Sequence, residues 1–331
     1  MQRRKFLALL GGATAVGWPL VTRAQQSNPI RLIGVLIGYA ESDPAAQSEI
    51  AAFRSRLAEL GWIEGRNLRI ELRWGGGDAA KVKAFARELV ELRPDVILGQ
   101  STVATDALAS ETRTIPIVFV IVADPVASGF TTNLARPSGN ISGFMVETAS
   151  QGGKWVQLLK EIAPQTSRMA LLLNAATGAP IEFFMPSIQA AASSLGVELS
   201  AVPVQTANEI EAAIAAQARK PGGGVIVMPA ASNQTNRDLI IALATRYKVP
   251  AIYNNPFFAE SGGLITYGAD YQEQFRQGAD YIDRVLRGEK PGDLPVQAPT
   301  KFELVINLRT AKAMDLEVPP SLLIRADKVI E

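Results

Sequence analysis

Ser101 and Thr102 stand where an apolar run, residues 96–98, gives way to a helical segment at 102–110. Hydroxyls and unpaired amides at a helix start can hold a carboxylate, and the same serine can serve as an ordinary N-cap. Asp124 follows the apolar run 117–122 and precedes Pro125. Its carboxylate can hold an amine or close an Asx turn. Tyr39, Phe144, Tyr253 and Tyr267 place aromatic rings at or near the ends of other apolar runs, where a ring can stack on a flat or apolar ligand. Two further run ends carry Asn174 to Thr177 and Met228 to Ala230. Asn174, Asn233 and Asn254 are neutral amides, suited to a neutral or zwitterionic molecule. The ten candidates for ligand contact are Tyr39, Ser101, Thr102, Asp124, Phe144, Asn174, Thr177, Met228, Tyr253 and Tyr267. Their chemistry is that of holding a small molecule.

Bond-making chemistry is constrained by two absences: the chain has no cysteine and no histidine. A Ser-His-Asp triad, a thiol nucleophile and a histidine general base are therefore impossible. Zinc sites normally draw on the same two residue types, so no metal is expected, and no disulfide can form. Gly75-Gly76-Gly77 and Gly222-Gly223-Gly224 do not give G-x-G-x-x-G or G-x-x-x-x-G-K-[ST]. The second triplet precedes a strand rather than following one. Both read as turns, and no cofactor is expected.

The elements that must position these residues alternate. Strand-like runs at 30–37, 68–74, 96–98, 115–120 and 141–144 are separated by helical segments at 44–60, 78–92 and 102–110. Asp43-Pro44 opens the first helix and Gly61 closes it, an N-cap, a first-turn proline and a terminal glycine in order. The rhythm restarts after residue 150, with strands at 169–173, 197–202, 225–228, 251–253 and 264–267. Helices fall at 154–162, 180–195, 208–218 and 234–247. Short, continuously apolar strands between helices imply parallel sheets covered on both faces. Two open, Rossmann-like α/β lobes follow, and 331 residues suit two domains. Residues 271–287 form an amphipathic helix, Asp270 caps it, and the stretch after it returns between lobes. Several crossovers make a hinge. The boundaries are 29–146 with about 270–300 for one lobe, and 147–269 with about 301–331 for the other. Ligands of open α/β sheets bind beyond the carboxyl ends of the strands, which in this arrangement face one cleft.

Residues 1–24 read as an export signal: Arg3-Arg4-Lys5, an apolar glycine-broken run, then Thr22-Arg23-Ala24 with small residues before a cut. Paired arginines mark the twin-arginine kind, an address rather than an anchor. Its removal takes the balance from 33 basic against 32 acidic residues to 29 against 32. That net charge of −3 offers no basic face for nucleic acid.

The C-terminal string LPVQAPTKFELVINLRTAKA from Leu294, and VPPSLLIRADKVIE from Val318 to Glu331, resemble the tail of a family of ABC-transporter substrate-binding proteins that includes tryptophan- and phenylalanine-type binders. Ile33-Gly-Val-Leu, Pro94-Asp-Val-Ile, Ile115-Pro-Ile-Val-Phe, Arg136-Pro-Ser-Gly-Asn-Ile-Ser-Gly143 and Gly263-Leu-Ile-Thr-Tyr-Gly-Ala-Asp-Tyr271 also match. The resemblance covers the chain after the signal. It implies the type I periplasmic-binding fold, with two α/β lobes, three crossovers and a closing cleft. It also implies Ser101 and Thr102 at a ligand carboxylate, with Asp124 nearby. The expectation is a monomeric periplasmic protein, not an enzyme, that delivers a small amino-acid-like or aromatic solute to a membrane permease and its ATPase. A ligand-sensing module for a membrane receptor and an exported cofactor enzyme are the alternatives.

Overall fold

The computed structural model describes residues 30–137, 139–174, 176 and 181–331. The export signal and Thr177 lie outside them. The first sheet has the order β2-β1-β3-β4-β5 and is parallel throughout. Its strands are β1 (Arg31–Ile37), β2 (Leu68–Trp74), β3 (Val96–Gln100), β4 (Ile117–Val122) and β5 (Ile141–Met145). Every residue of β3, β4 and β5 is buried, which explains why residues 96–98 and all of β4 read as apolar runs, while Gln100 and Ser142 are polar side chains buried within these strands. Helices α1 (Pro44–Glu59), α2 (Ala79–Glu91) and α3 (Thr102–Glu111) connect them. Asp43 and Asp78 cap α1 and α2 by accepting two first-turn amides each.

The second sheet has the order β12-β11-β10-β9-β8-β6-β7. Its strands are β6 (Arg168–Leu173), β7 (Glu198–Pro203), β8 (Gly223–Val227), β9 (Ala251–Tyr253), β10 (Ile265–Gly268), β11 (Glu303–Asn307) and β12 (Lys328–Ile330). All pairings are parallel except β10 with β11, an antiparallel join absent from the sequence reading. It arises because β11 enters the sheet from the opposite lobe. The helices are α4 (Gln151–Ile162), α5 (Ile181–Ser194), α6 (Ala207–Ala218), α7 (Ala231–Thr235), α8 (Arg237–Arg246), α9 (Pro256–Glu260), α10 (Tyr271–Leu286), α11 (Leu308–Ala313) and α12 (Pro320–Arg325). Trp155 of α4 and Phe184 of α5 pack 5.2 Å apart in this core.

The chain crosses between the two sheets three times. β5 leads through residues 146–150 to α4. β10 leads to α10, which Asp270 caps and which packs on α1 and on β3, β4 and β5. The return passes Gln297, whose amide donates to Gly143 and whose carbonyl accepts from Met145, before entering β11. Two α/β lobes of parallel sheet joined by three crossovers are the expected architecture. Among the described residues, no helix is long and apolar enough to cross a membrane.

Candidate functional site

The carboxyl ends of both sheets meet across a closed cleft. On one side lie Gly38, after β1, and the Gly75-Gly76-Gly77 turn after β2. On the other lies α7. A Cβ added at Gly77, where φ is +77°, would stand 3.4 Å from Ser232 Cα, so the lobes are in contact there. The three glycine amides donate to the carbonyls of Ile37, Tyr39 and Gly38. None is free to cradle a phosphate, and the triplet is a turn.

Behind this contact is a small pocket. The first lobe and the crossovers contribute Tyr39, Gln100, Ser101, Thr102, Ile121, Ala123, Glu147 and Tyr271. The second lobe contributes Pro229, Ala230, Ala231, Gln234, Asn254 and Asn255. No lysine or arginine is among them, and Glu147 is the one carboxylate.

The hydrogen bonds fix which way the amide side chains point. Gln100 Oε1 accepts from the backbone of Gly38 at 2.8 Å, which leaves Gln100 Nε2 directed elsewhere. That nitrogen is buried and has no partner among the described residues. In the opposite lobe, Asn255 Oδ1 accepts from the Phe257 amide, so Asn255 Nδ2 must donate, and it does, to Gln234 Oε1 at 3.1 Å. Gln234 Nε2 is then the second buried nitrogen without a partner. Both orientations rest on backbone N–H groups, which can only donate. Two amide donors, one from each lobe, therefore line the pocket and await acceptors.

Glu147 supplies the opposite polarity. Its side chain is buried in the first crossover, and Asn254 Nδ2 reaches its Oε1 at 3.4 Å while donating to Tyr271 Oη at 2.6 Å. Burial pushes the carboxyl up to about 8, with the Asn254 contact opposing only weakly. A buried carboxylate without a cation favours its neutral form, so a ligand ammonium is the group that would return its charge. Burial also pushes the Tyr39 and Tyr271 phenols well above their usual range, helped by Glu49 and Glu147. Both remain proton donors.

Backbone geometry is unusual at the pocket wall. Ser101 has φ +81° and Ile121 φ +58°, and a β-branched residue in the left-handed region is strained. Ile121 sits in a bulge where β4 slips one residue against β5, and its amide donates to Gln274 Oε1. Ser101 Oγ caps α3 through the Ala104 amide at 3.4 Å, and the residue also lines the pocket.

Of the ten candidates, Tyr39, Ser101 and Thr102 line this pocket. Thr177 lies outside the described residues. The other six are not among its lining residues. Asp124 accepts from the amides of Val126 and Ala127, the Asx-turn alternative. Phe144 packs 4.5 Å from Tyr281 in the first core. Asn174 bridges two loops, donating to the Val204 carbonyl and accepting from Ala176. Met228 belongs to the second core. Tyr253 stacks on Phe258 at 4.7 Å, and Tyr267 stacks on Phe302 at 5.7 Å. Successive side chains of a strand point to opposite faces, so at the end of β9 the aromatic residue fills the core and its neighbour Asn254 faces the cleft. Gln100, Glu147, Gln234 and Asn255 escaped the sequence reading as site residues. The first and last adjoin run ends already noted, while Glu147 and Gln234 carried no signal.

The comparisons with known proteins agree with this architecture. Residues 35–330 match the family described as ABC transporter substrate binding protein. A tyrosine-binding protein of Clostridioides difficile (strain R20291) is 26% identical over 292 residues, covering 86% of this chain and 80% of the relative. A solved structure of a conserved domain protein from Vibrio cholerae is 28% identical with a TM-score of 0.83, covering 91% of this chain and 99% of the other. An ABC domain in complex with L-Trp from Streptococcus pneumoniae has a TM-score of 0.81 at 24% identity, with the same coverages. A ligand-free, open substrate-binding protein from Clostridium difficile has a TM-score of 0.64, again at 24% identity and the same coverages.

Proposed function

Because the chain belongs to the family of ABC transporter substrate-binding proteins, whose members bind solutes rather than catalyse reactions, we propose that it is exported and captures a zwitterionic, amino-acid-like molecule between its lobes for uptake by an ABC permease and its ATPase. One observation carries the ligand class. The pocket presents two buried amide donors without partners, Gln100 Nε2 and Gln234 Nε2, together with one buried carboxylate, Glu147. The donors suit a carboxylate, aided by Ser101 and Thr102 at the start of α3. Glu147 suits an ammonium. The relatives named for tyrosine and solved with L-Trp support an α-amino acid.

Closure supports the same reading. At equal identity and coverage, the chain superposes better on the L-Trp complex than on the open, ligand-free relative. A ligand that contacts both lobes favours the closed arrangement through its differential affinity for it.

The test is calorimetric titration of the mature protein with the twenty amino acids, L-tyrosine and L-tryptophan first. At least one should bind with micromolar or tighter affinity. Glu147→Gln should weaken it by about 10- to 100-fold, the range of one charged hydrogen bond. If no amino acid binds, or if Glu147→Gln leaves affinity unchanged, the reading fails.

A further inference from the structure

A second interlobe pocket of about 140 Å³ adjoins the first and shares Asn255 and Tyr271 with it. Four carboxylates line it: Glu49, Glu260, Asp270 and Glu303. Three are engaged. Glu260 pairs with Lys328 and Glu303 with Lys301, while Asp270 caps α10 through two amides. Glu49 is different. It projects from α1, is only 3% exposed, and its Oε2 has no partner among the described residues. A buried, unpaired carboxylate is costly, and this one is set among further acids. Asp43 and Asp270 act on it with the same sign, and Arg237 is the one cation acting against them. Arg237 is itself bound to Asp43 at 3.1 Å and stacked over Phe257 at 4.7 Å.

The chemistry asks for a cation, and the remaining wall says of what kind. Phe257, Pro256 and the Tyr271 ring are apolar and aromatic surfaces, which suit an alkylammonium. A bare metal ion needs converging acids, and among the described residues no group of three or more is disposed to hold one. We propose that this second pocket is a subsite for an organic ammonium group, facing Glu49. The inference rests on the amino-acid reading of the main pocket and extends it: the ligand carries a second positive charge beyond its α-ammonium. Burial and the neighbouring acids hold the empty Glu49 carboxyl well above its usual range, so an arriving ammonium would displace a proton.

Four probes test the subsite by calorimetry at low ionic strength: L-lysine, its uncharged isostere L-norleucine, 1,5-diaminopentane and n-butylamine. L-lysine should bind at least tenfold more tightly than L-norleucine, and Glu49→Gln should abolish that ratio. The variant should melt within a few degrees of the wild type, because it keeps the side-chain volume. Saturable n-butylamine binding that Glu49→Gln removes would support the site as one for free amines. Response to L-lysine or the diamine alone would support an extension of the main pocket. A lysine-to-norleucine ratio near one, with no response to either amine, overturns the proposal even if Glu49→Gln fails to fold. A ratio that survives Glu49→Gln overturns it as well. Tight L-tyrosine binding beside that null result would leave the amino-acid reading standing, so the two failures are distinguishable.

Discussion

Arg237 of the second lobe and Asp43 of the first form an ion pair across the cleft, which separation of the lobes would break. Arg237 Nη1 lies 3.1 Å from Asp43 Oδ2 and 3.4 Å from Oδ1, and the side chains are 6% and 4% exposed. Opening the lobes returns both charges to water. Arg237→Met would therefore leave Asp43 buried and unpaired in the closed state alone. Removing one partner of a buried pair costs roughly 3–5 kcal/mol. The lower end applies here, because Asp43 keeps the Ala45 and Ala46 amides at the start of α1. About 3 kcal/mol against closure corresponds to a ligand affinity about 150-fold weaker, since binding and closure are coupled. None of the substituted atoms lines the ligand pocket.

A double-mutant cycle separates the ion pair from general damage. Asn caps a helix about as well as Asp, so Asp43→Asn spares α1. Asp43→Asn with Arg237→Met removes both charges and should recover affinity to within about tenfold of wild type, because a neutral pair carries no ionic desolvation cost. The assay is calorimetric titration with the tightest amino acid of the panel. Lobe distance is followed in parallel by energy transfer between dyes on Lys83→Cys and Ala212→Cys. Both positions are exposed, and the chain has no native cysteine to interfere. If Arg237→Met binds within threefold of wild type, or the double variant is as weak as the single one, the pair does not govern closure.

Three further outcomes follow from the same cleft. Burial in the closed cleft holds the Glu147 carboxyl at about 8, and opening the cleft to water would return it to the ordinary range. The closed empty form therefore takes up a proton and gains on the open form as pH falls. Between pH 8 and 6 its population ratio should rise roughly 50-fold from Glu147 alone, with Glu49 adding in the same direction. The dye pair reads this, and a flat profile in the ligand-free protein would contradict it. Gly268→Ala would drive a Cβ into the Asn254 carbonyl oxygen, displacing the strand end that carries Asn254 and Asn255. A melting point lower by several degrees is expected, and unchanged melting with unchanged affinity would refute the close approach. Gln100→Leu removes one unpartnered donor and orphans the Gly38 amide. It should cost about 1–3 kcal/mol of stability by chemical denaturation as well as affinity, and a loss of neither would show that this amide holds nothing.

The fold was legible because its signals are local. Asp43-Pro44 and Asp270-Tyr271 announce their helices through capping chemistry, and the buried strand β4 and the first three residues of β3 are apolar because both faces are covered. The segments that reach the cleft were legible too, since strand carboxyl ends can be read from where apolar runs stop. The particular side chains were less so. A run end does not say which of two successive residues faces the ligand. At β9 the aromatic Tyr253 drew the inference while Asn254 occupies the pocket. Glu147 lies in a crossover with no pattern of its own, and in the fold it is buried with Asn254 of the second lobe reaching its carboxylate. Gln234 lies in a five-residue helix too short to produce a periodic signal. What the sequence hides is the part of the site created by bringing two lobes together.

That division explains why a solute, rather than the protein, must complete the cleft. A buried amide donor left unpaired costs about 1–3 kcal/mol, and Gln100 and Gln234 each present one from opposite sides. Glu147 adds the cost of either a buried charge or a captured proton. In an opened cleft, water would satisfy all three groups. Closure of the empty protein is therefore opposed by several kcal/mol, against which the Arg237–Asp43 pair and the contact between the Gly77 turn and α7 must act. A molecule with a carboxylate at one end and an ammonium at the other removes these costs together. One that offers only half of that pairing leaves at least one group stranded. On the proposed reading, selectivity for a zwitterion would follow from unmet polar groups on both lobes, and a neutral analogue of the same shape should leave the lobes open.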